Sequence, residues 1–227
     1  MQQSFPALIL SGGRGTRLPN SARDIPKALV EIGGQAILER QLRALADAGF
    51  TRVRLALGFR ADQIIRFVTD RGLACDWMIE PEALGTGGAV RFAAADFREP
   101  FAVLNGDTIA DFDFLALARS HVPGHALMAA HWRDDARDFG LLHIEDGLIK
   151  EFREKPSEPT AGHINAGLYV LEPEHRDRLP QGFSMLEQHL FPVLAAEGKL
   201  RAFEHRGRWE DLGTELRLAR MREELNR

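Results

Sequence analysis

Residues 7–18 read ALILSGGRGTRL, and this stretch decides what kind of fold the chain can have. The apolar run at 7–10 has the length and composition of a buried strand, and it leads directly into a loop. That loop holds three glycines within four residues, at Gly12, Gly13 and Gly15. Glycines let a backbone come close to anionic oxygens and direct N–H groups at them, and Arg14 and Arg17 add charge-assisted donors. The loop is therefore a candidate binding site for a polyphosphate.

Two common phosphate-binding loops do not fit this spacing. A P-loop requires a lysine and then a serine or threonine after its second glycine, whereas Thr16 and Arg17 follow Gly15. The dinucleotide fingerprint requires glycine or alanine three residues after Gly15, and Leu18 stands there. The spacing therefore argues against a P-loop NTPase and against an NAD-dependent dehydrogenase.

Helical and strand patterns alternate through the first half of the chain. The predicted strands are 7–10, 53–57, 76–79 and 101–105, and the predicted helices are 37–48, 61–70 and 88–95. Strands that alternate with helix-length crossovers predict an α/β fold, a Rossmann-like three-layer α/β/α arrangement with a mainly parallel central sheet.

The second half changes character, with shorter strands and fewer helices. The predicted strands are 127–132, 140–144, 148–152, 168–171 and 200–204, and the predicted helices are 185–196 and 215–226. Asp146 and Gly147 form a hairpin-type turn between two of these strands. We interpret residues 1–227 as one domain whose two halves differ in architecture.

Composition excludes several classes of protein. The net charge of −4 over 227 residues provides no basic field for nucleic acid. No apolar run approaches the roughly 20 residues that span a bilayer, and residues 1–6 lack the pattern of a signal peptide. The single cysteine, Cys75, fits a reducing cytosol. We therefore expect a cytoplasmic protein without nucleic-acid or membrane partners, either a monomer or a homodimer.

The stretch from Gly12 to Leu18, followed closely by Pro26 and Lys27, resembles the signature of sugar-1-phosphate nucleotidyltransferases. The resemblance implies the nucleotide-diphospho-sugar transferase fold, with nucleotide bound by residues 1–125 and sugar phosphate by residues 126–227. It also implies that the loop cradles a nucleoside triphosphate and that Lys27 reaches both reacting phosphates. The loop residues expected to bind nucleotide are Leu10, Gly12, Gly13, Gly15, Thr16 and Arg17.

Three later stretches resemble the same family in the same order. The stretch at 80–88 resembles its base-reading loop, which implies that Glu80, Gly85 and Thr86 bind the nucleotide. Asn105-Gly106-Asp107 and Trp209-Glu210-Asp211 resemble its two metal-binding segments, which implies that Asp107 and Asp211 hold Mg²⁺. Two carboxylates together with phosphate oxygens suit the oxygen-rich octahedral shell of this ion. The expected catalytic residues are Arg17, Lys27, Asp107 and Asp211.

Shorter matches extend the resemblance to the sugar-1-phosphate wall. The residues expected there are Asn105, Gly140, Glu154, Lys155, Asn165 and Gly167. Glu154 and Asn165 would hold sugar hydroxyls, and Lys155 would hold the sugar phosphate. Residues 19–25 depart from the family because they lack its proline-leucine-threonine pattern.

The chain looks most like the short heptose- or mannose-1-phosphate guanylyltransferases, since it stops after one C-terminal helix without a left-handed β-helix. A carboxylate at Glu80 could accept both N1–H and N2–H of guanine, which favours GTP. Transfer of a uridylyl or cytidylyl group to another sugar phosphate or to phosphocholine stays open. A catalytically silent nucleotide-sensing subunit is a further alternative, and retention of Arg17, Lys27 and Asp107 argues against it.

Overall fold

A mixed β-sheet of nine strands forms the centre of the computed structural model, which describes residues 5–13, 25–153 and 155–225. The strands are β1 (Ala7–Ser11), β2 (Glu31–Ile32), β3 (Gln35–Ala36), β4 (Val53–Leu57), β5 (Asp76–Ile79), β6 (Phe101–Asn105), β7 (Thr108–Ala110), β8 (Ala126–Arg133), β9 (Leu141–Glu145), β10 (Leu148–Arg153), β11 (Gly162–Leu171), β12 (Leu200–His205) and β13 (Trp209–Asp211). The helices are α1 (Ile37–Asp47), α2 (Ala61–Asp70), α3 (Gly85–Ala93), α4 (Phe114–Arg119), α5 (Pro173–Asp177), α6 (Leu186–His189), α7 (Phe191–Ala196) and α8 (Glu215–Leu225), with a 3₁₀ turn at Lys27–Leu29. The large sheet has the strand order β5-β4-β1-β6-β11-β8-β12-β10-β9.

The four neighbouring strands β5, β4, β1 and β6 run parallel, as the sequence predicts. β1 lies between two neighbours, with Ala7 opposite Val53 on one side and Ala102 on the other. Ala7, Leu8 and Ile9 are fully buried, which explains their uninterrupted apolar run. The carboxyl ends of these strands meet at one edge, which is where open α/β sheets bind their ligands.

The second half of the sheet shows that the prediction of a mainly parallel sheet is wrong. β11 runs antiparallel to both β6 and β8, and β10 runs antiparallel to both β9 and β12, whereas β8 and β12 are parallel. The predicted turn between β9 and β10 is confirmed, with Asp146 and Gly147 at φ values of 51° and 73°. So short a connection reverses the chain, because a parallel pair needs a crossover of a dozen or more residues.

β11 is longer than the predicted strand at 168–171. The sequence obscures its first part because Asn165 and Gly167 interrupt the apolar pattern. In the structure the pairing register with β8 shifts between Asn165 and Tyr169, and Gly167 has a φ of 75°. The strand therefore continues through an irregularity of the kind that places polar groups next to functional sites.

Helices cover both faces of the large sheet, so the predicted three-layer arrangement is confirmed. One apolar cluster lies between the sheet and α1, α2 and α4 and includes Ile9, whereas the opposite cluster includes Leu8 and residues of α3, α6 and α7. Two of the predicted helices differ from the structure by more than a single residue at one end. α3 begins at Gly85 rather than at 88, and the predicted helix 185–196 is divided at Leu190, two residues before Pro192. None of the described helices combines the length and the apolar character needed to cross a membrane.

A third, smaller apolar cluster joins three separate segments of the chain. Its members are Val30, Ile32, Ile37, Ile109, Leu212, Leu218 and Met221. Two of them belong to α8, and the others surround the β2–β3 hairpin and the two-stranded sheet of β7 and β13. The sequence does not predict these short strands, since two or three residues carry no measurable periodicity.

We expect Phe191→Ala to lower the free energy of unfolding by roughly 3–5 kcal/mol, because it would leave a cavity in the core. Phe191 is fully buried, and its ring centroid lies 4.8 Å from that of Tyr169. The matched control is Val193→Ala on the same helix, since Val193 is 42% exposed and should change stability by no more than about 0.5 kcal/mol. Urea unfolding followed by circular dichroism measures both; equal losses would contradict the placement of Phe191 in the core.

Candidate active site

A cleft of about 350 Å³ lies at the carboxyl ends of β1 and β6. Many of the residues that the sequence singles out line it: Leu10, Gly12, Gly13, Lys27, Glu80, Gly85, Thr86, Asn105 and Asp107. Other predicted site residues lie outside the described residues, namely Gly15, Thr16, Arg17 and Glu154. The described part of the predicted nucleotide set thus surrounds one cavity.

Gly12 and Glu80 are in contact at the wall of this cleft. A Cβ atom at Gly12 would lie 2.5 Å from Glu80 Oε1, so a side chain at residue 12 would displace the carboxylate from its observed position. Glu80 Oε2 accepts a hydrogen bond from Leu84 N at 3.1 Å. Burial raises the pKa of Glu80, and this hydrogen bond opposes the rise. The Glu80 carboxylate is therefore held in a partly desolvated place beside the glycine loop.

The two predicted metal ligands, Asp107 and Asp211, are neighbours through the β7–β13 pairing. Thr108 lies opposite Asp211, and Leu212 N donates a hydrogen bond to the Asp107 carbonyl oxygen at 2.9 Å. Lys27 Nζ lies 3.0 Å from Asp107 Oδ2, with only 16% of the lysine side chain exposed. Lys27 and Asp107 therefore meet at one corner of the cleft, and the β7–β13 pairing brings the backbone of Asp211 beside that corner, although Asp211 does not itself line the cleft.

Arg217 on α8 is a charged neighbour that the sequence analysis missed. Its guanidinium pairs with Asp211 Oδ1 and, at 2.7 Å, with Asp138 Oδ2, and it lies 4.2 Å from the ring centroid of Phe139. Gly213 N also donates to Asp211 Oδ1, at 3.2 Å. Arg217 and Gly213 thus orient the Asp211 carboxylate. No local sequence pattern connects this arginine to the aspartate.

The asparagines of the predicted sugar wall lie at the irregularity in β11. A Cβ atom at Gly167 would lie 2.8 Å from Asn105 Nδ2, so glycine permits the close approach of β11 to the end of β6. Asn165 Oδ1 accepts a hydrogen bond from Gly167 N at 2.9 Å. The side chains of Asn105 and Asn165 also flank the hydroxyl of Tyr169, whose pKa is raised by complete burial. Polar amides from both halves of the chain therefore meet here.

The remaining described residues of the predicted sugar wall, Gly140 and Lys155, make no described contact with the side chains of Asn105 and Asn165. Leu141, which follows Gly140, pairs with Ile164, which precedes Asn165, so the pairing of β9 with β11 ends just before these two predicted residues. Lys155 is exposed, and no described contact joins it to the cleft. Lys155 thus lies at the surface, and a sugar-phosphate contact by Gly140 stays a prediction.

The segment that precedes α6 forms a further wall of the cleft. Phe183 and Met185 line it, and neither is among the predicted site residues. Thr86 Oγ1 accepts a hydrogen bond from Leu186 N at 2.9 Å and donates one to Glu187 Oε2 at 3.0 Å. The Thr86 hydroxyl therefore links this wall to α3 by two hydrogen bonds. A nucleotide contact by Thr86 stays a prediction.

Known proteins resemble this chain over nearly its whole length. A family model described as nucleotidyl transferase matches residues 6–226. The mannose-1-phosphate guanylyltransferase catalytic subunit beta of Drosophila pseudoobscura pseudoobscura is 37% identical over 217 residues, covering 91% of this chain and 58% of that protein. The mannose-1-phosphate guanyltransferase of Saccharomyces cerevisiae is 35% identical over 219 residues, covering 91% and 60%. The chain thus spans about 60% of the length of these curated relatives.

A solved structure matches over nearly the full length of both chains. HddC from Yersinia pseudotuberculosis superposes with a TM-score of 0.87 at 31% identity, covering 97% of this chain and 99% of that one. A second crystal structure of the same protein, complexed with GMP-PN, gives a TM-score of 0.86. From the matched family model and this agreement in fold, we conclude that the chain belongs to the nucleotidyl transferase family.

Proposed function

We propose that this protein transfers a guanylyl group from GTP to a sugar 1-phosphate of the mannose or heptose type, releasing pyrophosphate. The observation that carries the proposal is the corner where Lys27, Asp107 and the β7–β13 ladder meet beside the glycine loop. Relatives named as mannose-1-phosphate guanylyltransferases support the choice of substrates, and so does HddC, which was solved with GMP-PN. We also propose a cytosolic location, where Cys75 would stay reduced.

The choice of GTP rests on Glu80. Its carboxylate lies at the wall of the cleft and can accept the paired N1–H and N2–H donors of guanine. Uracil presents one N–H between two acceptor oxygens, which a carboxylate would repel. The partly desolvated setting of Glu80 strengthens this discrimination, because hydrogen bonds to a charge gain strength as water is excluded.

Asp107 and Asp211 suit a magnesium ion. Their side chains are 32% and 25% exposed, and each has one carboxylate oxygen without a hydrogen-bond partner among the described residues. Mg²⁺ prefers oxygen ligands and usually takes one or two carboxylates together with water and phosphate oxygens. When bound, the ion would neutralise negative charge on the phosphates.

The proposed reaction requires positioning more than proton transfer. An oxygen of the sugar phosphate forms a bond to the α-phosphorus of GTP, and the bond from that phosphorus to the bridging oxygen breaks as pyrophosphate leaves. A phosphate monoester is mostly dianionic at neutral pH, since its second pKa is about 6, so no side chain has to remove a proton. Lys27, which Asp107 holds, and Arg17 would supply fixed positive charge to two mutually repelling anions.

We assign the nucleotide to residues 1–125 and the sugar phosphate mainly to residues 126–227, with Asn105 as the contribution of the first half. The amides of Asn105 and Asn165 carry both donors and acceptors, which matches sugar hydroxyl groups. The proposed sugar-phosphate set is Asn105, Gly140, Glu154, Lys155, Asn165 and Gly167.

Pyrophosphate release across a grid of substrates tests this function. GTP, UTP, CTP and dTTP would each be paired with mannose 1-phosphate, a heptose 1-phosphate and glucose 1-phosphate. We expect turnover with GTP and with the mannose or heptose phosphate. Exclusive use of UTP or CTP would overturn the assignment of the base, and no turnover with any pair would favour a silent nucleotide-binding subunit.

Substitutions at the proposed charged centre should separate folding from turnover. We expect Asp107→Asn, Asp211→Asn and Lys27→Met to keep the far-UV circular dichroism of the wild type and to lower kcat roughly 100-fold or more. Matched controls are Asp62→Asn and Lys199→Met at exposed positions, which should leave kcat unchanged. Turnover by the Asp107 variant close to that of these controls would remove its proposed role.

The raised pKa of Glu80 makes GTP binding dependent on pH. The ionised carboxylate is the form that accepts from guanine, so affinity should be full above this pKa and should fall as the pH drops through it. Because burial raises the pKa, the loss should begin at a higher pH than for an ordinary glutamate. Calorimetric titrations from pH 8 to pH 5 measure the dissociation constant.

The matched control for this titration is Glu80→Gln. Protonation of the GTP triphosphate affects its binding to both proteins equally, so only the wild type also reports on residue 80. We expect it to bind GTP roughly 10-fold more weakly at neutral pH, as for a lost hydrogen bond to a charged group. The ratio of its dissociation constant to that of the wild type should shrink toward acidic pH. A ratio near 1 at every pH would show that Glu80 does not contact the base.

A further inference from the structure

Gln41 is a buried polar residue on the core-facing side of α1. Only 7% of it is exposed, and its neighbours Leu38, Leu42 and Leu45 belong to the apolar cluster beneath the sheet. A polar side chain at such a position must be paired, because a buried amide without partners is destabilising. The partners of Gln41 show its role.

The side-chain nitrogen of Gln41 donates two hydrogen bonds to the turn that carries Asp107. Nε2 lies 2.9 Å from the carbonyl oxygen of Asn105 and 2.9 Å from that of Thr108. One nitrogen therefore fixes the separation of the two carbonyl groups that flank Gly106 and Asp107. The turn leaves the nine-stranded sheet at β6 and enters the two-stranded sheet at β7, so Gln41 bridges two sheets.

The Thr108 carbonyl depends on this donor. Along an antiparallel ladder, residue pairs that exchange hydrogen bonds alternate with pairs that do not. At one end of the ladder Leu212 N donates to Asp107 O, and at the other end Asp111 N donates to Arg208 O. Thr108 and Asp211, which lie between them, form a non-hydrogen-bonded pair, so the Thr108 carbonyl points away from β13. It points toward α1, where Gln41 meets it.

A primary amide suits this position better than a side chain of similar size. Its NH₂ group offers two donors from one nitrogen, whereas glutamate offers none when ionised and methionine offers none at all. Gln41 Oε1 is buried without a hydrogen-bond partner among the described residues. Rotation of the amide would turn this oxygen toward both carbonyls, so the observed orientation is the favourable one.

We propose that Gln41 is a positioning residue that holds Asp107 in place through the two carbonyls of its turn. This inference rests on the proposed function, since it concerns the aspartate assigned to the reacting phosphates. Gln41 does not line the cleft and acts only through the backbone. Its removal should therefore affect the rate of the reaction rather than the binding of substrates.

Turnover and amide exchange of Gln41→Met together test the proposal. With GTP and the preferred sugar phosphate, we expect kcat to fall roughly 10- to 100-fold, as for a small misplacement of a reacting group, while KM for both substrates stays within about twofold. Hydrogen exchange should become faster in the peptide that covers residues 105–108. The matched control is Gln188→Met at an exposed position on α6, which should change neither quantity.

Gln41→Glu distinguishes hydrogen bonding from packing. Glutamate has nearly the shape of glutamine, so a purely steric role would leave this variant closer to the wild type than Gln41→Met. The proposal expects the reverse order, because a carboxylate would face two carbonyl oxygens. A near-normal kcat in Gln41→Glu, or unchanged exchange at residues 105–108 in both variants, would overturn it.

The exchange measurement needs no turnover. It therefore tests whether the hydrogen bonds of Gln41 order residues 105–108 even if the wild type is inactive on every substrate pair. Inactivity of the wild type would count against the proposed function alone. Normal activity of the wild type together with a raised KM and unchanged kcat in Gln41→Met would count against the positioning role alone.

Discussion

The hydrogen bond from Leu212 N to the Asp107 carbonyl is the contact on which the rest of the candidate site depends. It closes the β7–β13 ladder and so joins the middle of the chain to its last helix. Without this ladder, Asp107 and Asp211 would belong to separate loops. Three further residues then stabilise the two paired segments. Lys27 pairs with Asp107, Arg217 pairs with Asp211, and Gln41 donates a hydrogen bond to the Thr108 carbonyl oxygen.

The mixed sheet explains how two half-sites come to share one edge. Parallel strands bring the glycine loop and the end of β6 to the same side of the molecule. β11 then enters antiparallel beside β6, and the positive φ of Gly167 lets it approach Asn105 closely. The amides proposed for the sugar therefore adjoin the turn proposed for the phosphates. An all-parallel arrangement would have needed a long crossover between them.

The sequence predicts the parallel half well because buried strands appear in it as apolar runs followed by glycine. The direction of the later strands is harder to predict, since it depends on which strand becomes a neighbour. The β7–β13 ladder escaped prediction because three-residue strands have no periodicity. Gln41 and Arg217 were missed for a related reason: their partners, such as Thr108 and Asp138, lie far along the chain and leave no local signal.

The third apolar cluster has a consequence for how the protein would lose activity. β7 and β13 pair with each other rather than with strands of the large sheet, and a handful of side chains around α8 stabilise them. Small units of this kind open at a lower free energy than the whole fold. Mild heating or dilute denaturant would therefore abolish the proposed activity while the two larger apolar cores stay folded. Loss of the proposed activity would then precede global melting.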